Sequence, residues 1–270
     1  MKRLLDRWLP AYAALYIGFL YLPVLFLPIF SINTSAVPKF PLSGYTFKWY
    51  EELPRTTALL DAAWNSLIVG IAASLLATVL GICAARAITR YRFPGRRPIN
   101  GLIMAPLILP EIIVAVSMLL VLQRMGLGLS LFTVVLGHVL ICIPYSISVL
   151  TSGFEGFDRS LEEASADLGE TAWGTFRRVT LPMMTPAIIS SLLVSFTISL
   201  DDFIMAFFLA GTETTLPIYI WGQLRFAAKL PSVLALGTLL LIGSFVLLTI
   251  AETLRRRAER RTHMTGVAVA

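Results

Sequence analysis

Charge is scarce in this 270-residue chain: Asp, Glu, Lys and Arg make up 14% of it, where a soluble domain usually carries about 25%. Hydrophobic residues make up 57% and the mean hydropathy is +0.79, which leaves too little polar surface to cover a water-facing globule. An ordinary soluble protein is excluded. Cysteine and histidine are equally sparse, with two of each. Cys83 and Cys142 lie inside apolar stretches, so neither a disulfide framework nor a cysteine-rich zinc site is available. His138 and His263 are far apart and no H-E-x-x-H run exists, which argues against a metal centre. The chain also lacks a G-x-x-x-x-G-K-[ST] loop and cannot cradle a nucleotide phosphate in that manner. An intramembrane protease needs a serine with a base, or two aspartates on different helices. Asp201 and Asp202 are adjacent instead, and on one helix they would diverge by about 100°. No internal repeat or low-complexity tract is present. The chain is read as a protein without catalytic activity of its own.

What the chain does have is apolar residues in blocks of spanning length: Leu9 to Ile32, Ala62 to Ala85, Ile99 to Leu122, Leu131 to Leu150, Met183 to Ala210 and Pro231 to Ala251. Each can cross a bilayer as a helix at about 1.5 Å per residue, so the expected fold is all-α, a polytopic membrane protein with six transmembrane helices. The first block is longer than a signal-peptide core and no clear small-x-small cleavage site follows it, so it is expected to be retained. The expected division is a short N-terminus over residues 1–8, a six-helix domain over 9–252 and a basic tail over 253–270. Thr262 to Ala270 is expected to be disordered.

Basic residues set the orientation. With the N-terminus in the cytoplasm, the inside segments hold Lys2, Arg3, Arg7, the Arg86 to Arg97 run, Arg159, Arg177, Arg178 and the Arg255 to Arg261 run. Those segments carry 16 of the 22 Lys and Arg. Both termini are therefore expected inside. The same reading makes the basic runs anchors near anionic membrane lipid and removes any need for nucleic acid as a partner. The outside loop from Asn33 to Asp61 is rich in proline and aromatics, and is expected to be irregular with one short interfacial helix. Its Trp49 suits either an interface belt or a cation-π contact with an ammonium at a pathway mouth.

The polar stretch Asp158 to Pro182 is inside and patterned as two short helices. Ser160 and Glu163 fit a capping box, Leu161, Ala164 and Leu168 make a small apolar face, and Gly169 suits a left-handed helix end. A second segment holds Trp173, Phe176 and Val179, with Arg177 and Arg178 near its end and Pro182 after it.

This loop resembles a known family. Glu163-Ala164-Ser165, three residues, Gly169, nine residues, then Val179-Thr180-Leu181-Pro182 is similar to the E-A-A-x3-G-x9-I-x-L-P loop of type I ABC importer permeases, with Ser165 and Val179 as small departures. The resemblance implies a type I ABC importer permease fold, with residues 158–182 as the coupling helix region docked on a separate ATPase. Glu163, Ala164, Ser165, Gly169, Val179, Leu181 and Pro182 would carry the contact. It also implies that ATP and Mg are bound by that partner and no cofactor by this chain. Further implied partners are a second permease subunit, a second ATPase copy and a periplasmic binding protein.

Three acids lie within the blocks: Glu111, after Pro110, and Asp201 with Asp202. A carboxylate at the bilayer centre costs about 2.5 to 3.5 kcal/mol on translocon scales and persists mainly where it meets water, a partner or a cargo. No basic residue lies in any block, so a cationic substrate is one counter-ion, and protonation or a partner's arginine are others. Counted along straight helices, all three acids fall between the midplane and the outer third. Ser199 can offer a hydroxyl to the same region or bond its own backbone. His138 and Cys142, one turn apart, are expected to be packing residues. Ser199-Leu200-Asp201-Asp202-Phe203, Thr215-Leu216-Pro217, Pro110-Glu111-Ile112 and Lys48-Trp49-Tyr50 resemble spermidine/putrescine importer permeases, which implies a polyamine cargo. An opine, a basic amino acid or an aminophosphonate are alternative cargoes. An ATPase-independent cation transporter fits the acids but leaves the loop unexplained.

Overall fold

The computed structural model describes residues 2–267, with side chains described from Trp8 to Val246 and at Thr249 and Thr253. The described residues are helical apart from short connections and one isolated bridge, Asn33 with Tyr45. The helices are α1 (Lys2–Ser31), α2 (Lys48–Glu52), α3 (Thr57–Arg90), α4 (Arg96–Ile108), α5 (Glu111–Arg124), α6 (Leu131–Glu155) and α7 (Ser160–Asp167). They continue with α8 (Ala172–Thr175), α9 (Leu181–Met183), α10 (Thr185–Asp201), α11 (Ile204–Leu209), α12 (Leu216–Gln223) and α13 (Leu230–Val267). Trp8–Ser31, Thr57–Arg90, Leu131–Glu155 and Ala227–Val246 are each long and apolar enough to cross a bilayer, and two bent helix pairs, each counted as one span, make up to six.

The chain forms two compact units. One holds the chain up to Leu60 with Tyr219–Val246, the other Asp61–Ile218 with the chain from Leu247 onward. In the first, Phe26, Phe30 and Phe40 form a ring cluster with the closest centroids 4.9 Å apart. The loop after α1 is irregular as expected, with α2 as its short helix. Trp49 Nε1 donates to the Asn33 carbonyl at 2.8 Å, and the Ser31 and Tyr50 hydroxyls meet at 2.6 Å. In the second unit, α6 is the most enclosed of the spanning helices. Val134, Cys142, Met205, Ala206 and Leu209 are buried in a core shared by α3, α5, α6 and α11.

Two expectations of straight spans are corrected. The third block is not one helix: α4 and α5 meet at 108°. Pro110 lacks an N–H and its ring drives the preceding residue out of the helical region, and Leu109 accordingly sits at ψ 143°. The fifth block also breaks, because Asp202 is extended at ψ 117° and α11 starts afresh at Ile204. Asp201 and Asp202 therefore do not share a helix, and depth cannot be counted along a straight rise. The expected disordered tail is also corrected: α13 runs on to Val267. The arginine-rich stretch has Ala, Glu and Leu among its basic residues, all good helix formers, and no proline to stop it. Only Ala268 to Ala270 of that expectation lie outside the described residues.

Candidate functional site

The two breaks converge on one place. A cavity of about 460 Å³ opens where α4 ends, α5 begins, α10 ends and α6 passes alongside. Glu111, Asp201 and Asp202 all line it, with Tyr145, Thr197 and the apolar Leu107, Leu109, Ile141 and Ile198. Among the described residues, the lining has three carboxylic acids and no Lys, Arg or His. The last carbonyls of α4 and α10 have no helical donors and carry the negative ends of their dipoles. A concave apolar wall with carboxylates can accept hydrogen bonds from ammonium groups, which are donors only.

Each acid is held differently. Glu111 is the first residue of α5, where the helix dipole favours a negative charge. Asp201 closes α10 and is exposed to the cavity. Asp202 is 8% exposed, and its Oδ1 accepts the Met205 N–H at 2.9 Å, which caps α11. The far end of α11 is tied down as well, because the Thr133 hydroxyl donates to the Leu209 carbonyl at 2.7 Å. Beyond it, Ser66 Oγ accepts the Leu216 N–H at 2.8 Å, and Asn65 Nδ2 donates to the Thr214 carbonyl at 3.0 Å. The chain around the acids is therefore fixed at both ends of α11 and again on α3.

Ser199 and Trp49 are not brought to this cavity. The Ser199 hydroxyl is buried and pairs with His138 Nδ1 at 2.7 Å. Trp49 is engaged with Asn33, and the cation over its ring is the neighbouring Lys48, 5.6 Å from the centroid. His138 and Cys142 are buried against α10, as expected of packing residues.

The loop between α6 and α10 forms the two short helices expected of it. Its start is corrected: Ser160 does not cap α7. The Asp158 carboxylate accepts the Ser160 N–H at 2.9 Å, while Glu163 pairs with Arg159 at 3.1 Å on the surface. Asp158 competes successfully because its side chain lies two residues before the free N–H, and that bond holds its carboxyl below the usual range. The end is as expected, since Gly169 has φ +87° and Glu170 N–H returns to the Ser165 carbonyl at 3.2 Å, a Schellman closure. The chain then passes through α8, a π-helical turn over Phe176–Thr180, and α9. Ala164, Leu181 and Pro182 are exposed, and Val179 is half-buried. Leu168 and Trp173 are 90% and 69% exposed.

Glu162 escaped the sequence reading. It forms an ion pair with Arg90, 2.8 Å away, and accepts from the Thr180 hydroxyl at 2.7 Å, tying α7 and the turn before α9 to the end of α3. Its position next to the motif glutamate was the only available signal.

Broken apolar helices of spanning length, with a polar loop between α6 and α10, define a protein that crosses a membrane several times. Residues 77–260 match the family described as binding-protein-dependent transport system inner membrane component, and the chain belongs to that family. Among its relatives, the putrescine transport system permease protein PotI of Escherichia coli is 38% identical over 251 residues, covering 90% of this chain and 89% of the relative. The spermidine/putrescine transport system permease protein PotC of Haemophilus influenzae is 33% identical over 243 residues, covering 89% and 93% respectively. A bacterial ABC transporter that imports the acidic polysaccharide alginate shares the fold, with a TM-score of 0.75 at 17% identity over 93% of this chain and 96% of that one. An inward-facing MetNI methionine transporter does so with a TM-score of 0.58 at 18% identity, over 76% and 98%.

Proposed function

We propose that this chain is the membrane-spanning permease subunit of an ATP-driven importer that moves a polyamine of the putrescine or spermidine kind across the inner membrane. One observation carries the cargo reading: three acids from two broken spans line one cavity that holds no basic residue among those described. A polyamine offers separated ammonium groups on an aliphatic chain, matching carboxylates set in an apolar wall. The names of the relatives support the same cargo. Glu111, Asp201 and Asp202 act as transient anionic sites, while Ser199 supports the end of α10 and Trp49 belongs to the outside loop.

In this reading the loop over residues 158–182 docks on an ATPase. Its exposed Leu168 and Trp173 offer apolar surface beside Glu163, Ala164 and Ser165. ATP and Mg are bound by that ATPase and not by this chain. A second permease chain, two ATPase copies and a periplasmic binding protein complete the assembly, with both termini of this chain in the cytoplasm.

The test is co-expression with the neighbouring transporter genes, purification through a tag on this chain, and uptake of labelled putrescine and spermidine into vesicles containing ATP. The expected result is a co-purifying ATPase and ATP-dependent uptake that needs the binding protein. Uptake without the ATPase would replace this reading with an independent cation transporter.

A further inference from the structure

The loop's best-enclosed polar contact lies on the side that faces its own membrane domain. Glu162 and Arg90 have side chains only 15% and 13% exposed, and their contact at 2.8 Å joins α7 to the last residue of α3. The same carboxylate takes the hydroxyl of Thr180, which is fully buried in the π-helical turn. The Arg90 guanidinium also lies over Phe154 at 5.7 Å, at the end of α6, and over Phe157 at 5.6 Å. Four segments, the ends of α3 and α6, α7, and the π-helical turn, thus meet at one ion pair. One turn earlier on α3, Arg86 stacks on Phe176 of that turn at 4.5 Å. Glu163, by contrast, pairs with its helix neighbour Arg159, and both side chains are 64% exposed.

We infer that Glu162 and Arg90 form the strut through which movement of the docking loop reaches the spanning helices, with Glu162 a positioning residue for coupling rather than a contact for the ATPase. This rests on the reading that the loop docks on an ATPase. A partly buried pair suits the task. Breaking it leaves one charge without its partner, so the loop and α3 move together instead of sliding apart. Exposed pairs such as Arg159 with Glu163 are worth little and transmit little.

The test uses the whole reconstituted importer in vesicles, measuring putrescine uptake and ATP hydrolysis together, with wild type, Glu162→Gln, Arg90→Gln and the double Arg90→Gln/Glu162→Gln variant. Failure of the wild type to couple ATP hydrolysis to uptake would overturn the proposed function itself, and the strut with it. With a coupled wild type, each single variant is expected to lower uptake per ATP by about fivefold or more. The double variant removes both charges and should recover membrane abundance, while its uptake per ATP stays as low as in the single variants. A merely structural contact would lower abundance, hydrolysis and uptake in proportion, leaving uptake per ATP at the wild-type value in every variant. Either a preserved ratio in Glu162→Gln or its recovery in the double variant overturns the proposal.

Discussion

The Ser199 hydroxyl lies 2.7 Å from His138 Nδ1, and this pair is the first rung of a ladder between α10 and α6. One turn further along, Cys142 Sγ donates to the Ser195 carbonyl at 3.4 Å, and one turn beyond that the Ser146 and Ser191 hydroxyls meet at 2.8 Å. Thr78 of α3 joins Ser191 at 3.1 Å. The ladder exists because both helices repeat a small or polar residue every fourth position, which keeps those residues on one face of each helix. In a membrane interior such pairs hold helices together where the hydrophobic effect does not. The rung nearest Asp201 and Asp202 fixes the end of α10 that presents them.

Removing a middle hydroxyl should weaken this seam. Ser191→Ala leaves both Ser146 and Thr78 short of a partner inside the protein and is expected to cost about 1 to 3 kcal/mol. A lower midpoint of thermal unfolding in detergent checks this. Ser146→Ala combined with Ser191→Ala should cost less than the sum of the two changes.

Close approach of the same helices gives a second prediction. A Cβ added at Gly153 would lie 2.5 Å from the Cβ of Ala187 on α10, an atom with no rotamer by which to move aside. Gly153→Ala should therefore push α6 and α10 apart and destabilise the protein by about 1 to 3 kcal/mol. Gly101→Ala, where nothing lies within 4 Å, should be silent in the same melting assay.

Cap and charge can be separated at Asp202. Asp202→Asn keeps an oxygen for the Met205 N–H, whereas Asp202→Ala removes it and should cost about 1 kcal/mol more. Uptake lost equally in both variants, with stability lost only in the alanine variant, is the expected pattern in parallel transport and melting measurements.

Gly169 provides a test of the loop. Its φ of +87° suits glycine, so Gly169→Leu should distort the closure of α7 and lower uptake while membrane insertion persists. Gly169→Asn should be milder, because asparagine tolerates that backbone region. Normal transport by the leucine variant at normal abundance would remove the coupling role from this loop.

Much of this arrangement was legible in the sequence. Block length and charge scarcity give the spanning helices, and Gly169 with the surrounding spacing gives the turn in the loop. Glu111, Asp201 and Asp202 stand out because carboxylates are costly in apolar stretches. Hydropathy does not locate the helix breaks, since Leu109 is as apolar as the residues before it and the Asp201–Asp202 pair reads as charge within a span and not as a break in the helix. Pro110 signals the first break in hindsight, but proline also occurs within α1 at Pro10, Pro23 and Pro28 without ending it. The Asp158 bond to the Ser160 N–H was hidden by a competing capping-box pattern that starts two residues along. The pairs His138 with Ser199 and Arg90 with Glu162 join residues far apart in sequence, so no local pattern records them.

The central claim is that the acid-lined cavity carries the cationic cargo, and it is tested most directly by uptake of labelled putrescine, below saturation, through complexes bearing Glu111→Gln, Asp201→Asn or Asp202→Asn. These changes keep volume and hydrogen bonding and remove the charge. The account predicts assembled complexes that still hydrolyse ATP, a severe loss of uptake in at least one aspartate variant, unequal effects of the two aspartates, and an intermediate loss for Glu111→Gln. Wild-type uptake in all three variants would contradict it.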